Sequence, residues 1–122
     1  DLGHPSYVWG FGQERRLDLI RRYVRLEDAT ILDAGCGLGM YVRAFRRYSR
    51  EVHGVDLDIE KVKEAGRELP NLCMSVAETL PYPDGVFDLV LSHEVIEHVT
   101  DDRQASGLQP VAGDPSIVKG RR

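Results

Sequence analysis

The chain has 122 residues, 42% of them hydrophobic and 30% charged, enough for one ordinary core and too few for two. Its 16 Lys and Arg against 20 Asp and Glu leave a net charge of −4, so no global basic field is on hand to hold a nucleic-acid backbone or an anionic membrane. Apolar runs of only a few residues exclude a membrane span, and residues 1–12 lack the basic start and apolar centre of a signal peptide, so a soluble, cytoplasmic protein is expected.

Cys36 and Cys73 are too few for a disulfide scaffold and lack paired zinc-ligand spacing. They read as reduced, buried thiols. Asp1 stands where an initiating Met would, which fits part of a longer product.

Residues 1–12 carry Gly3, Pro5, Gly10 and Gly12 around Tyr7, Trp9 and Phe11 and read as an ordered arm. Over residues 13–26, Leu17, Ile20 and Val24 recur at helical spacing, which predicts an amphipathic helix. Its five arginines are interleaved with Glu14 and Asp18, so they form a solvated face and not a phosphate-binding stripe. A strand at Ile31 and Leu32 then runs into the glycines 35, 37 and 39, followed by a helix over 41–48.

A second strand over 51–55 has Asp56 at its end, a helix over 59–69 is closed by Pro70, and a third strand fits 73–76. Pro81, Pro83, Asp84 and Gly85 mark a loop before a fourth, strongly apolar strand over 86–92. The alternation predicts an α/β fold: a Rossmann-like parallel sheet with flanking helices. Residues 1–105 form the domain with its arm, and residues 106–122, broken by three glycines and two prolines, are expected to be an irregular tail.

The segment Asp33-Ala34-Gly35-Cys36-Gly37-Leu38-Gly39 joins the first strand to its helix, where glycines permit close ligand approach and the helix start favours an anionic group. Seventeen residues beyond Gly39, Asp56 is placed to accept two hydrogen bonds from a ribose diol. Both belong at the C-terminal edge of the sheet, which points to a nucleoside-containing ligand. A dinucleotide fingerprint starting at Gly35 requires glycine or alanine where Met40 stands, and no Gly-Lys pair marks a phosphate loop. Asp33 is a poor neighbour for a pyrophosphate but suits a ligand with an ammonium group and a sulfonium cation, as in S-adenosylmethionine.

The chain resembles the class I S-adenosylmethionine-dependent methyltransferases, in particular their type 11-like small-molecule branch. Four segments carry the resemblance in order: 31–39, 52–57, 76–85 containing Val76-Ala77-Glu78 and Leu80-Pro81-Tyr82-Pro83-Asp84-Gly85, and Phe87-Asp88-Leu89-Val90-Leu91-Ser92. By that resemblance S-adenosyl-L-methionine is the cofactor and a small molecule the methyl acceptor. Asp33, Gly35, Cys36 and Gly37 are expected around the methionine end, Asp56 on the ribose, Leu57 on the adenine face, Ala77 and Glu78 at the adenine edge, and His93 near the methionine ammonium. No catalytic residue is assigned.

Blander roles compete at several positions. Glu78 fits an exposed loop carboxylate, Cys36 small packing without an activating base, and His53 a structural role. His93 and His98 are five positions apart, about 140° around a helix, so the zinc spacing of four is not met and no metal is expected. Tyr7, Trp9 and Phe11 suit either a lid or an aromatic cluster on the sheet.

The family pattern breaks near Ala105. A complete seven-strand member continues after the fourth strand with a helix and a fifth strand, and this sequence has neither, which fits a truncated, internally deleted or frame-altered chain. An uncovered fourth strand is a template for pairing, so a homo-oligomer through that edge is expected. Two further readings stand beside the methyltransferase: a non-catalytic binding or assembly module, and a nicotinamide-dependent oxidoreductase, which Met40 disfavours.

Overall fold

A computed structural model describes residues 9–75, 85–92 and 109–120. Among the described residues, three helices, α1 (Phe11–Tyr23), α2 (Met40–Phe45) and α3 (Ile59–Ala65), accompany six strands: β1 (Ile31–Ala34), β2 (Val52–Asp56), β3 (Leu72–Met74), β4 (Leu89–Ser92), β5 (Gln109–Val111) and β6 (Asp114–Lys119). The strands form one sheet in the order β3-β2-β1-β4-β6-β5. The first four run parallel, so β1, β2 and β4 end together, with Ala34 opposite both Val55 and Ser92.

Side-chain alternation divides the core. Ile31, Val52, Leu89, Leu91 and Ile117 join Leu17 and Ile20 of α1, Val42 and Phe45 of α2 and Ala65 of α3 in one buried cluster. Leu32, Ala34, Val55, Val90 and Val118 form a second cluster. Each described helix therefore buries its apolar side in the same layer. α3 starts where the Asp58 carboxylate accepts from the Glu60 and Lys61 amides at 3.0 and 3.3 Å. At the N-terminal edge of the sheet, Asp88 locks β4 to β1: its carboxylate accepts from Thr30 N at 2.9 Å and its own amide donates to Thr30 O at 2.8 Å.

The expected elements through β4 are present, with ends displaced by a few residues. The tail expected to be irregular instead contains the β5–β6 hairpin, which makes the sheet mixed and not wholly parallel. Its two-residue turn, Ala112-Gly113, has φ of 52° and 75°, the left-handed pair that matches the twist of flanking strands. β6 pairs antiparallel with β4, Val90 facing Val118 and Leu91 facing Ile117. The edge of β4 is thus occupied, and the ground on which a homo-oligomer was expected is removed.

Why the hairpin lies here follows from what it buries. Val111, Ile117 and Val118 are almost wholly buried, and Gly120 N donates to Asp88 O at 2.7 Å. A polar link secures it to α1: Arg16 donates to Ser116 Oγ at 2.6 Å, and that hydroxyl donates to Asp114 at 2.6 Å. The hydroxyl holds the Asp114 carboxyl below the usual carboxylate range against the opposing effect of burial, with smaller contributions from the Ser116 amide and Arg16.

A carboxyl with a depressed folded-state pKa stabilises the fold above its ordinary value near 4, and that contribution is lost as pH falls through the depressed value. Ser116→Ala is therefore expected to lower the urea midpoint at pH 7, by about 1 kcal/mol in unfolding free energy. The gap between variant and wild type should narrow as the pH is taken below the ordinary aspartate range, and a gap independent of pH would show that the Asp114 link does not contribute.

Candidate functional site

The C-terminal edge of the parallel strands gathers the glycine loop, Asp33 and Asp56. Gly35, Gly37 and Gly39 have φ of 87°, 54° and 84°, the left-handed region in which a Cβ is strained. The amides of Gly35 and Cys36 both donate to Val55 O, at 2.8 and 2.9 Å. The Gly37 amide donates to Asp56 Oδ2 at 2.8 Å, while Asp56 Oδ1 accepts from Asp58 N at 2.8 Å. One carboxylate thus joins the glycine loop to the turn that starts α3.

Close approach of the loop to β2 depends on Gly54, where an added Cβ would lie 2.8 Å from Leu72 Cδ2 and 3.0 Å from Cys36 Sγ. On its other side the loop is open: among the described residues, nothing lies within 4 Å of a Cβ added at Gly37. Asp33, in β1 two residues before Gly35, is fully buried. The amides of Gly35, Cys36 and Gly37 are turned to β2, so the loop holds itself through these donors and offers a ligand its open flank.

Beyond Asp56 the rim becomes apolar and exposed. Leu57 is 56% exposed, Ile59 42% and Met74 53%, and the β2–β3 register sets Met74 opposite Asp56. Ser75 N donates to Asp56 O at 3.0 Å, extending that register. An acidic group beside a shelf of large apolar side chains suits a polar sugar joined to a flat base. Leu57 was expected from the sequence, whereas Met74 and Ile59 were not; only the strand register brings Met74 beside Asp56.

Of the other expected residues, Asp33, Gly35, Cys36 and Gly37 share the end of β1 and its loop, and Ala77, Glu78 and His93 lie outside the described residues. So do Tyr7, Glu94, Glu97 and His98. Among the described residues, no group of three or more His, Cys, Asp or Glu is arranged to hold a metal ion, and no helix is long and apolar enough to cross a membrane. His53 packs edge-on against Phe87, ring centres 5.9 Å apart, and stands 3.7 Å from the Glu51 carboxylate.

A methyltransferase domain model matches residues 32–107. The chain belongs to this methyltransferase family. It is 31% identical over 93 residues to a ubiquinone biosynthesis O-methyltransferase of Chromobacterium violaceum, a match covering 70% of the chain and 40% of that protein. Norajmaline N-methyltransferase of Rauvolfia serpentina is 35% identical over 102 residues, covering 71% and 35%. Among solved structures, a SAM-dependent methyltransferase of Aquifex aeolicus superposes with a TM-score of 0.58 at 27% identity, covering 75% of this chain and 52% of that one. The chain spans about two fifths of the length of the curated relatives it matches.

Within this methyltransferase domain Cys36 is packing material. Burial, then the negative charges of Asp33 and Asp56, push its thiol up to about 12. At pH 8 only about one thiol in ten thousand is ionised at such a value. Cys73 is only partly buried, against the expectation of two buried thiols. Iodoacetamide at pH 8 is accordingly expected to alkylate Cys73 in the folded protein and to reach Cys36 only in urea, as read by peptide mass mapping. Faster labelling of Cys36 than of Cys73 would contradict this electrostatic account.

Proposed function

We propose that the chain binds S-adenosylmethionine at the C-terminal edge of its parallel strands and takes part in methyl transfer to a small-molecule acceptor. The Asp56 carboxylate carries this reading, standing on the strand rim between the open glycine loop and the apolar shelf of Leu57, Ile59 and Met74. Its two oxygens retain acceptor capacity beyond the backbone amides they already meet, since a carboxylate offers about four lone-pair sites. Asp56 accepts from the ribose hydroxyls, while Leu57 and Met74 flank the adenine. Asp33 and the open flank at Gly35, Cys36 and Gly37 face the methionine end, and the resemblance adds Ala77, Glu78 and His93.

Held by Asp56 at the ribose, by Leu57 and Met74 at the adenine and by Asp33 with the glycine loop at the methionine end, the cofactor would supply an electrophilic sulfonium methyl, with a thioether as leaving group, for an acceptor whose proton would pass to solvent. The chain's own contribution is to orient and to exclude water. Asp56 fixes the loop before the ligand arrives, and the buried Asp33 places negative charge beneath the cationic end. The chemistry needs no base from the described residues, and a cytoplasmic setting fits it.

A second reading, a binding module without turnover, is favoured by the hairpin: β6 lies antiparallel against β4 where a complete relative is expected to continue with a fifth strand. Calorimetric titration with S-adenosylhomocysteine tests the site. Saturable binding by wild type is expected, weakened at least tenfold in Asp56→Ala and less in Asp56→Asn, which keeps one oxygen acceptor. Absence of binding by a chain shown to be folded by circular dichroism would overturn the proposal. With binding established, methyl transfer to any member of an acceptor panel favours the enzyme, and none favours the module.

A further inference from the structure

Beside the glycine loop lies a second concavity of about 440 Å³, lined by Trp9, Leu38, Met40, Arg43, Ala44 and Arg47. Its size suits a small organic ligand. Leu38 and Met40 flank Gly39, so one wall of this groove is a continuation of the loop that faces the cofactor site. Resting on the cofactor reading above, we propose that the groove holds the methyl acceptor, and that the acceptor is an apolar, ring-bearing molecule with a carboxylate.

The ring is assigned to Trp9, which three contacts hold in place. Its Nε1 donates to the Glu14 carboxylate, its ring meets Tyr41 edge-on with centres 5.1 Å apart, and it packs against the main core cluster. A tryptophan held by its N–H and by a perpendicular ring contact contributes an ordered aromatic side chain to the groove wall, where a flat apolar ligand loses little freedom on binding. Leu38, Met40 and the small side chain of Ala44 complete an apolar lining.

The carboxylate is assigned to Arg47. The groove's two cations are not equivalent: Arg43 is neutralised by Glu68 at 2.7 Å. Arg47 donates through Nε to Ala44 O at 3.2 Å and lies 5.8 Å from the Tyr48 ring centre. Neither neighbour is anionic, and among the described residues Arg47 makes no ion pair. A guanidinium with its Nε committed keeps terminal N–H groups in a fork that matches a carboxylate. An anion is therefore the better complement of this groove: a carboxylate pairs with the exposed Arg47 guanidinium, whereas an uncharged aromatic leaves that cation to solvent.

Trp9 is the only tryptophan of the chain, so its fluorescence reports the groove directly. The probe is 3-(4-hydroxyphenyl)propanoate, with the corresponding amide as its neutral control. Titration of wild type is expected to change the emission saturably with the acid, and at least tenfold more weakly with the amide. Arg47→Gln should weaken the acid at least tenfold while leaving S-adenosylhomocysteine affinity within twofold, and Arg43→Gln should have the smaller effect. An acceptor must coexist with the cofactor, so saturating S-adenosylhomocysteine should leave acid affinity within threefold. Equal affinity for acid and amide, indifference to Arg47→Gln, or mutual exclusion of acid and S-adenosylhomocysteine would each overturn the proposal. S-adenosylhomocysteine bound without the acid sinks the groove alone; the acid bound without S-adenosylhomocysteine sinks the cofactor reading and the acceptor role with it.

Discussion

The geometry of the site depends on one carboxylate serving two backbone amides. Asp56 accepts from Gly37 on one oxygen and from Asp58 on the other, and the preceding carbonyl, Val55, accepts from Gly35 and Cys36. Four amides from two different loops are therefore satisfied within two residues of one strand end. Charge-assisted bonds of this kind are about twice as strong as neutral ones, and an amide lost from such a bond in a partly buried place is costly. The glycine loop keeps its left-handed turns because its glycines carry no Cβ and β2 holds it, and β2 can do so because Gly54 leaves room for Cys36 and Leu72. A ligand meeting this rim finds a surface whose ordering has already been completed during folding, which is the basis of preorganised binding.

Parallel strand order explains why these parts converge. β1, β2 and β4 run in one direction with close register, so their last residues form a single edge, and β3 adds Met74 opposite Asp56. The same arrangement sends Thr30, Asp88 and Gly120 to the far edge, where the bonds between them are structural. The Phe87-Asp88 landmark thus owes its form to strand pairing and not to ligand chemistry. Function and anchoring are separated along the strand axis by one short sheet.

What the sequence made legible was local in origin. Helical recurrence of Leu17, Ile20 and Val24, the glycine run and the acid ending β2 each signal themselves within a few residues, and each is present. The hairpin was not legible because its local signals point the other way: Pro110, Gly113 and Pro115 read as breakers, and β5 spans only Gln109–Val111. It forms because β4 supplies a long-range partner, although Ala112 in its turn takes a conformation usually left to Asn or Gly, and a register shift between Pro110 and Val111 accommodates the break in the ladder beside the prolines. Met74 is not legible in the sequence for a related reason. Its place in the site is set by pairing across strands 18 residues apart, Asp56 to Met74, and no spacing rule along the chain reports it.

The hairpin and the groove share an anchor in α1. Arg16 donates to Ser116 on β6 and also stands over Tyr41, 5.6 Å from the ring centre. Tyr41 in turn meets Trp9 edge-on and Phe45 at 6.1 Å between ring centres. One guanidinium therefore touches the strand that closes the sheet and the ring against which the groove wall rests. An arginine can do both because its cation is delocalised over a plane, with N–H donors at the rim and a face that stacks on an aromatic. Lysine, a compact charge with three donors and no plane, could keep the serine bond or approach the ring but not match both geometries. The hairpin's polar link is thus more than closure of an open edge: it fixes the guanidinium of α1 at one end, and the face of that guanidinium meets Tyr41 of α2, the ring on which Trp9 rests.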